Sequence, residues 1–260
     1  MAILTRHASR VTRHDCSFDS PSRFRYIAPM ENWPLRLGKF LFRFRSFTPL
    51  PLILLTFLLF PPLSPAPAWT WAGLAVALAG EALRMASVGF AGSGTSGRES
   101  FLKADSLNTT GLYSLVRNPL YWGNVLIFSG LLAAYSNPWA LALFVVFLVA
   151  QYHFIVLAEE SFLRRVHGQA FDDYCRRAHR WRPRFDRWAP PAGRFDWKKV
   201  LFKENDSCFN LLLGMLLIAA WKERRFAGTV RHRPWFAGAA AVLLLIYIGI
   251  KVRKKRQAAA

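Results

Sequence analysis

The sequence predicts an all-α integral membrane protein, with about six transmembrane helices arranged in hairpins and an interfacial helical segment on the cytoplasmic side. Three observations predict it. The chain is 53% hydrophobic and 15% aromatic, more apolar than a soluble domain needs. Its apolar residues gather in runs that approach the roughly 20 required to cross a hydrocarbon core. Between those runs lie 35 Lys and Arg against 15 Asp and Glu, a formal charge of +20 that suits loops flanking membrane spans.

Residues 1–33 are polar, basic and irregular, with no apolar stretch of the kind a secretory signal needs, and are expected to be disordered. Met30 opens a more ordered-looking segment, ENWPLRLGKFLFRFR, and is an expected alternative start of translation. A membrane core over 34–194 and a C-terminal helical hairpin over 195–260 complete the predicted organisation. In the core, the apolar run 50–63 is short and bounded by Pro49, Pro51, Pro61 and Pro62, which predicts a tilted or partly interfacial helix. Residues 69–90, 121–135 and 139–158 read as full spans. In the hairpin, 235–250 reads as a span and 208–221 as a weaker one. Cys16, Cys175 and Cys208 share no disulfide or metal-ligand spacing, so neither a disulfide framework nor a metal site is expected.

Orientation follows from the basic residues. Arg36, Lys39, Arg43 and Arg45 precede the first span, the link 61–68 carries no charge, and Arg98, Lys103 and Arg117 follow the second. The link Ser136-Asn137-Pro138 is again uncharged, whereas 164–203 is dense in Arg and Lys. The N-terminus and the working ends of the first four spans are therefore expected on the cytoplasmic side, of a bacterial inner membrane or its equivalent. The last two spans have Lys222, Arg224, Arg225, Arg231 and Arg233 between them and Lys251, Arg253, Lys254, Lys255 and Arg256 after them. The rule leaves their topology open.

The chemistry-bearing pattern is GLYSLVRNPLYWG at 111–123, answered by Glu159-Glu160 at the end of the fourth span. Pro119 suits a helix start and biases Asn118 away from helix, so a bent start to the third span is expected, with backbone N–H groups facing a cavity. Gly123 lets another group approach the backbone closely. Arg117 is either a fixed positive charge at the mouth of that cavity or an interfacial arginine beside the aromatic belt of Tyr121 and Trp122. Two carboxylates at a helix C-terminus oppose the helix dipole and need a cation, for which Arg117 and a bound ammonium or sulfonium ligand are the candidates. His153 shares a helical face with Glu160 and either lines the same cavity or is a structural hydrogen-bonding residue. Glu81 and Arg84, three apart in the second span, are expected to pair with each other.

After Glu160, basic residues alternate with aromatic ones. Phe162, Val166, Phe171 and Tyr174 are expected on an apolar side, with Arg164, Arg165, Arg176 and Arg177 toward lipid phosphates, as in an interfacial helix pair. A nucleic-acid partner is not expected, because this basic patch abuts membrane spans. Residues 92–97 fit G-x-G-x-x-G spacing, yet follow a membrane span rather than a strand, and read as a loop. Asn108-Thr109-Thr110 matches a glycosylation sequon on the side of the membrane where it has no effect.

The pattern Gly-x-Tyr-x-x-x-Arg-x-Pro-x-Tyr-x-Gly, followed by Glu-Glu and the tail FLRRVHGQAFDDYCRRAHRWRPRF, resembles the isoprenylcysteine carboxyl methyltransferase and phospholipid methyltransferase family over about residues 69–185. The resemblance implies a membrane-embedded enzyme that uses S-adenosylmethionine at the cytoplasmic ends of its helices. It implies that Arg117, Asn118, Pro119, Tyr121 and Gly123 line the cofactor pocket, that Glu159 and Glu160 complete it, and that Arg117 and Glu160 act in catalysis. The family usually has His where this chain has Asn118, which forms hydrogen bonds but takes no proton near neutral pH.

The resemblance implies a lipid or lipidated acceptor: a carboxylate, a phosphate or an amine headgroup. The basic cytoplasmic face favours an anionic one. Two rivals have other chemistry: a sterol-reductase type of membrane enzyme using a nicotinamide cofactor, whose pyrophosphate the paired carboxylates would repel, and a non-enzymatic lipid-binding scaffold in which Arg117 and the glutamates are a structural ion pair.

Overall fold

The structure is a computed structural model and describes residues 32–92 and 106–259. Met30, Cys16, Arg98, Lys103 and nearly all of the segment 1–33 lie outside the described residues, as does most of the glycine-rich run after Gly92. Nine α-helices are described: α1 Trp33–Phe44, α2 Pro49–Leu59, α3 Pro67–Gly89, α4 Leu112–Leu115, α5 Pro119–Tyr135, α6 Pro138–His167, α7 Gln169–Arg177, α8 Trp197–Ala227 and α9 Arg233–Ala259. Six of them, α1, α2, α3, α5, α6 and α9, have proline in the first turn, where the missing N–H costs no hydrogen bond. Asn137 caps α6 by accepting from the N–H groups of Trp139 and Ala140. Among the described residues the only β pairing is one parallel bridge, Val116 to His179.

Three helices are long and apolar enough to cross a membrane, at Pro67–Gly89, Pro138–His167 and Arg233–Gln257. The helices α1 and α2 together make a fourth such length, bent by 76° at their break. The predicted short, tilted helix at 50–63 is thus the second arm of a bent pair. The helix α5, at 17 residues, is roughly 26 Å long and lies packed between other helices instead of spanning on its own. The helix α8 runs antiparallel beside α3 along its whole length. Lys199 Nζ reaches the carbonyls of Ala91 and Gly92 at one end, and Lys222 Nζ reaches Thr70 Oγ1 at 3.1 Å and Ser136 Oγ at 2.8 Å at the other. Lys222 is therefore buried against the end of α5 and is not a free interfacial charge.

The helices α3 and α5 cross in close backbone contact. A Cβ on Gly73 would collide with the backbone of Gly130 and Ala134, and one on Gly80 with the carbonyl of Gly123. Such small-residue faces let helices approach where hydrocarbon offers no hydrophobic drive to associate. On the other side of the bundle Phe42 packs with Phe144, Leu148, Tyr152 and Ile155 of α6.

Glu81 and Arg84 do not pair. Arg84 donates from Nε and Nη2 to Glu204 Oε2 at 2.9 and 2.7 Å and from Nη1 to Asn124 Oδ1 at 2.6 Å. Glu81 accepts from Ser207 Oγ at 2.6 Å and Cys208 Sγ at 3.1 Å. Both side chains leave α3 toward α8, and a carboxylate arriving across the interface meets the guanidinium fork better than a neighbour on the same helix.

Candidate functional site: the α4–α5 turn and the end of α6

Gly111, at φ +60°, starts the single turn α4, and Val116 leaves it extended. This extended stretch pairs with the chain after α7. Arg117 N–H donates to His179 O at 2.9 Å, and Arg184 N–H donates to Leu115 O at 2.9 Å. The expected open N–H row is thus filled at Arg117 by backbone. Asn118, outside the helical region at φ −126° and ψ 56°, then turns the chain into α5 and donates from Nδ2 to Arg180 O at 3.1 Å. Trp122 Nε1 donates to Trp181 O at 2.9 Å, so residues 179–184 form a strap across the turn.

Side chains complete what the backbone begins. Arg117 donates to Glu160 Oε1 from Nε at 3.1 Å and Nη2 at 2.9 Å, and from Nη1 to Ala178 O at 2.9 Å. Arg180 donates to the same carboxylate, to Oε1 at 3.1 Å and Oε2 at 2.6 Å. The Glu160 side chain is 8% exposed, against 11% for Arg117 and 30% for Arg180. One buried carboxylate therefore anchors two guanidinium groups, and the bond to Glu160 holds Arg180 above its ordinary pKa.

Glu159 is differently placed. Its Oε1 accepts from the Tyr121 hydroxyl at 2.9 Å, and the Tyr121 ring lies against Tyr152 with centroids 4.7 Å apart. Among the described residues no further hydrogen bond uses its second oxygen. Tyr113, on α4, is buried nearby; burial first, then the Glu159 carboxylate, push its hydroxyl well above the usual tyrosine range. Glu160 thus holds two guanidinium groups by direct bonds, whereas Glu159 is bonded by a hydroxyl and feels the charge of Arg45 through space.

Of the residues read from sequence, Arg117, Asn118, Tyr121, Glu159 and Glu160 come together here, with Pro119 buried at the turn. Gly123 faces α3, where Gly80 O and the stem of Arg84 fill the space beside its Cα. His153 does not join them. It is exposed, in one row with Val146, Val149 and Phe154, because the strap that buries Glu160 does not extend two turns down the helix. Arg180 was missed by sequence reasoning, being one arginine among many between 164 and 187. The helix α7 also differs from expectation. Phe171 and Tyr174 are buried against Ala178, Leu107 and Leu163, and Tyr174 OH donates to Tyr113 O at 2.7 Å, so its apolar face clamps the site instead of entering lipid, while Val166 is exposed.

The turn and the glutamate pair lie within one recognisable stretch, and the strap lies beyond it. Residues 68–170 match the family model for phospholipid methyltransferases. Neither a curated protein nor a solved structure matches the chain. The matched stretch runs from the first turn of α3 into α7, and so contains 111–123 and both glutamates but neither Arg180 nor the α8–α9 hairpin. It supports a membrane methyltransferase that acts on lipid.

The cluster fits a cofactor carrying an ammonium and a sulfonium. A carboxylate oxygen that accepts no further hydrogen bond, beside packed aromatic rings, is a setting such cations favour, and Glu159 with Tyr121 and Tyr152 supplies it.

Proposed function

We propose that this protein is an S-adenosylmethionine-dependent methyltransferase of a lipid or lipidated acceptor, working at the cytoplasmic ends of α3, α5 and α6 in a bacterial inner membrane or its equivalent. The observation that carries it is the asymmetry of the glutamate pair: Glu160 is saturated by Arg117 and Arg180, while Glu159 keeps an oxygen beside Tyr121. Glu159, Tyr121, Asn118 and Pro119 would hold the cofactor. Arg117 and Glu160, with Arg180, fix the wall they stand on, and Gly123 keeps α5 seated on α3. In this reading 34–194 is the catalytic core and 195–260 an added hairpin.

When bound, the cofactor supplies a methyl group on a sulfonium, already activated, so positioning and electrostatics are what the protein must add. Held by Glu159 and Tyr121, it would supply that methyl to an acceptor lone pair and keep the electrons of the carbon–sulfur bond. An anionic oxygen acceptor releases no proton in this step, whereas an amine must lose one. Asn118 takes no proton near neutral pH, which favours the carboxylate or phosphate acceptor over the amine.

One observation favours the scaffold reading, namely that both Glu160 oxygens are committed to structural partners. Transfer of labelled methyl from S-adenosylmethionine into solvent-extractable lipid decides between the two. The native chain is expected to transfer label, and Glu159→Gln at equal abundance is expected to lose at least about a hundredfold in rate, the order seen when a transition-state electrostatic contact is removed. Native chain that neither binds the cofactor nor transfers label would leave the scaffold.

A further inference from the structure

The α8–α9 hairpin carries a groove that the cluster around Glu160 does not use. Its floor is one face of α8 from Trp197 to Leu212, and its walls include Leu243 and Ile250 of α9 and Met85 of α3, around a cavity of about 270 Å³. From Trp197 to Leu212 the groove runs roughly 22 Å along the helix. That is about half of a bilayer measured with its headgroups, the depth of one leaflet. Spread over that length, about 270 Å³ leaves a cross-section far smaller than that of a helix roughly 10–12 Å across. A single hydrocarbon chain suits it.

The two ends of the groove differ in chemistry. The deep end, at Leu212 and Leu243, is apolar. The Trp197 end carries the aromatic contact of Trp197 with Phe195, centroids 4.5 Å apart, as expected at a headgroup boundary. Lys198, Lys251 and Lys254 surround it, with Lys251 placed by Asp206 at 2.7 Å and Lys254 by the carbonyl of Phe202 at 3.3 Å. Glu204 lines the inner wall, 2% exposed, and is neutralised by Arg84, which also holds Asn124 at the start of α5. Arg84 thereby links the groove wall to the first turns of α5, the helix that also carries Tyr121.

We propose that this groove seats one acyl chain of the methyl acceptor, an anionic phospholipid whose phosphate lies among the lysines at the Trp197 end; the assignment rests on the methyl-transfer reading above. The full chain is reconstituted in vesicles of phosphatidylcholine with phosphatidylglycerol carrying a photoreactive diazirine midway along one acyl chain. Adducts are mapped by peptide, and methyl transfer into phosphatidylglycerol is measured in parallel. Adducts are expected on the facing walls of α8 and α9. Leu212→Trp, which fills the deep end, is expected to cut them about tenfold and to raise KM for the lipid about tenfold, with kcat and cofactor affinity within about twofold. Leu243→Trp fills the same space from the opposite wall and is expected to do the same, so that misfolding of one variant does not decide the result. Adducts spread evenly over the outward face of α6, or crosslinks joining two copies through α9, would overturn the groove as a lipid seat. Methyl transfer with an unchanged KM in both variants would overturn it as the acceptor's seat and leave the reaction standing. Adducts in the groove with no lipid methylated would overturn the reaction and its acceptor while leaving a lipid-binding groove.

Discussion

Two buried arginine–glutamate clusters lie in this protein, and they are built to different ends. At the mouth of the site Glu160 is shared by Arg117 and Arg180, which come from the α4–α5 turn and from the strap after α7. Deeper in the bundle Arg84 is shared by Glu204 and Asn124, which come from regular helices. The first cluster fastens irregular chain that helix geometry cannot hold. The second joins α3 and α5 of the phospholipid methyltransferase stretch to the hairpin that lies outside it. One guanidinium shared by a carboxylate and an amide ties helices here, and one carboxylate shared by two guanidinium groups ties loops.

The comparison is broken most severely by Arg84→Ala. Glu204, 2% exposed, would lose both bonds that Arg84 donates to it, a loss of about 3 kcal/mol. Thermal unfolding of the purified protein is the measurement, and Glu204→Leu in the same chain should restore part of the loss, because the cost lies in burying a carboxylate that has lost those two bonds. If α8 were only an anchor loosely apposed to the core, neither variant would move the midpoint.

Glu160→Gln follows in size. It leaves two guanidinium groups on a neutral amide, but Arg180 is 30% exposed and water screens it, so the loss should be smaller, about 2–3 kcal/mol. Its signature is local: protease cutting between residues 178 and 188 should accelerate before the helices unfold, since the strap is released first. Equal acceleration at the α8–α9 turn would mean that the cluster supports the whole bundle and not the strap.

How far the two clusters were legible in the sequence differs for a physical reason. Arg117 and Glu160 were legible as partners because two carboxylates at a helix end are electrostatically wrong unless something cationic meets them. Arg180 was not, since residues 164–187 hold many arginines and no periodic element says which one turns inward. For Arg84 the helical rule found a partner three residues away, whereas the real one lies 120 residues on, at a distance no local pattern reaches. The helical wheel likewise put His153 on the face of Glu160 correctly, but it has no knowledge of how far the covering strap extends. Fold class fared better, because apolar run length and charge placement are properties of each segment taken singly. Among the longer helices, α5, read from sequence as a full span, is 17 residues long, and α8 carries Glu204, Asp206 and Lys222 along its length, so neither is long and apolar enough to count as a span by itself.

Tyr174→Phe sharpens the first cluster by removing one bond that clamps α7 to α4. Its hydroxyl donates to Tyr113 O at 2.7 Å, and burial holds that hydroxyl far above the usual tyrosine range, so it is a fixed donor at any working pH. Loss of the bond should cost about 1 kcal/mol, and activity should show no new pH dependence below pH 9, because no ionisation is removed.

The smallest effect on stability is expected of Tyr121→Phe, and it separates the two neighbouring glutamates most sharply. The hydroxyl of Tyr121 donates to Glu159 Oε1 at 2.9 Å, and the ring packs against Tyr152 whether or not the hydroxyl is present. Packing should therefore survive, with a change below about 1 kcal/mol in unfolding free energy. Glu159, however, loses the donor that aims it, and a carboxylate free to rotate holds a cation less well. Cofactor affinity should fall about tenfold by equilibrium dialysis, with proteolysis of the strap unchanged. Weakened binding together with a released strap would place Glu159 in the same structural unit as Glu160, and the division between a fastening carboxylate and a ligand-facing one would be lost.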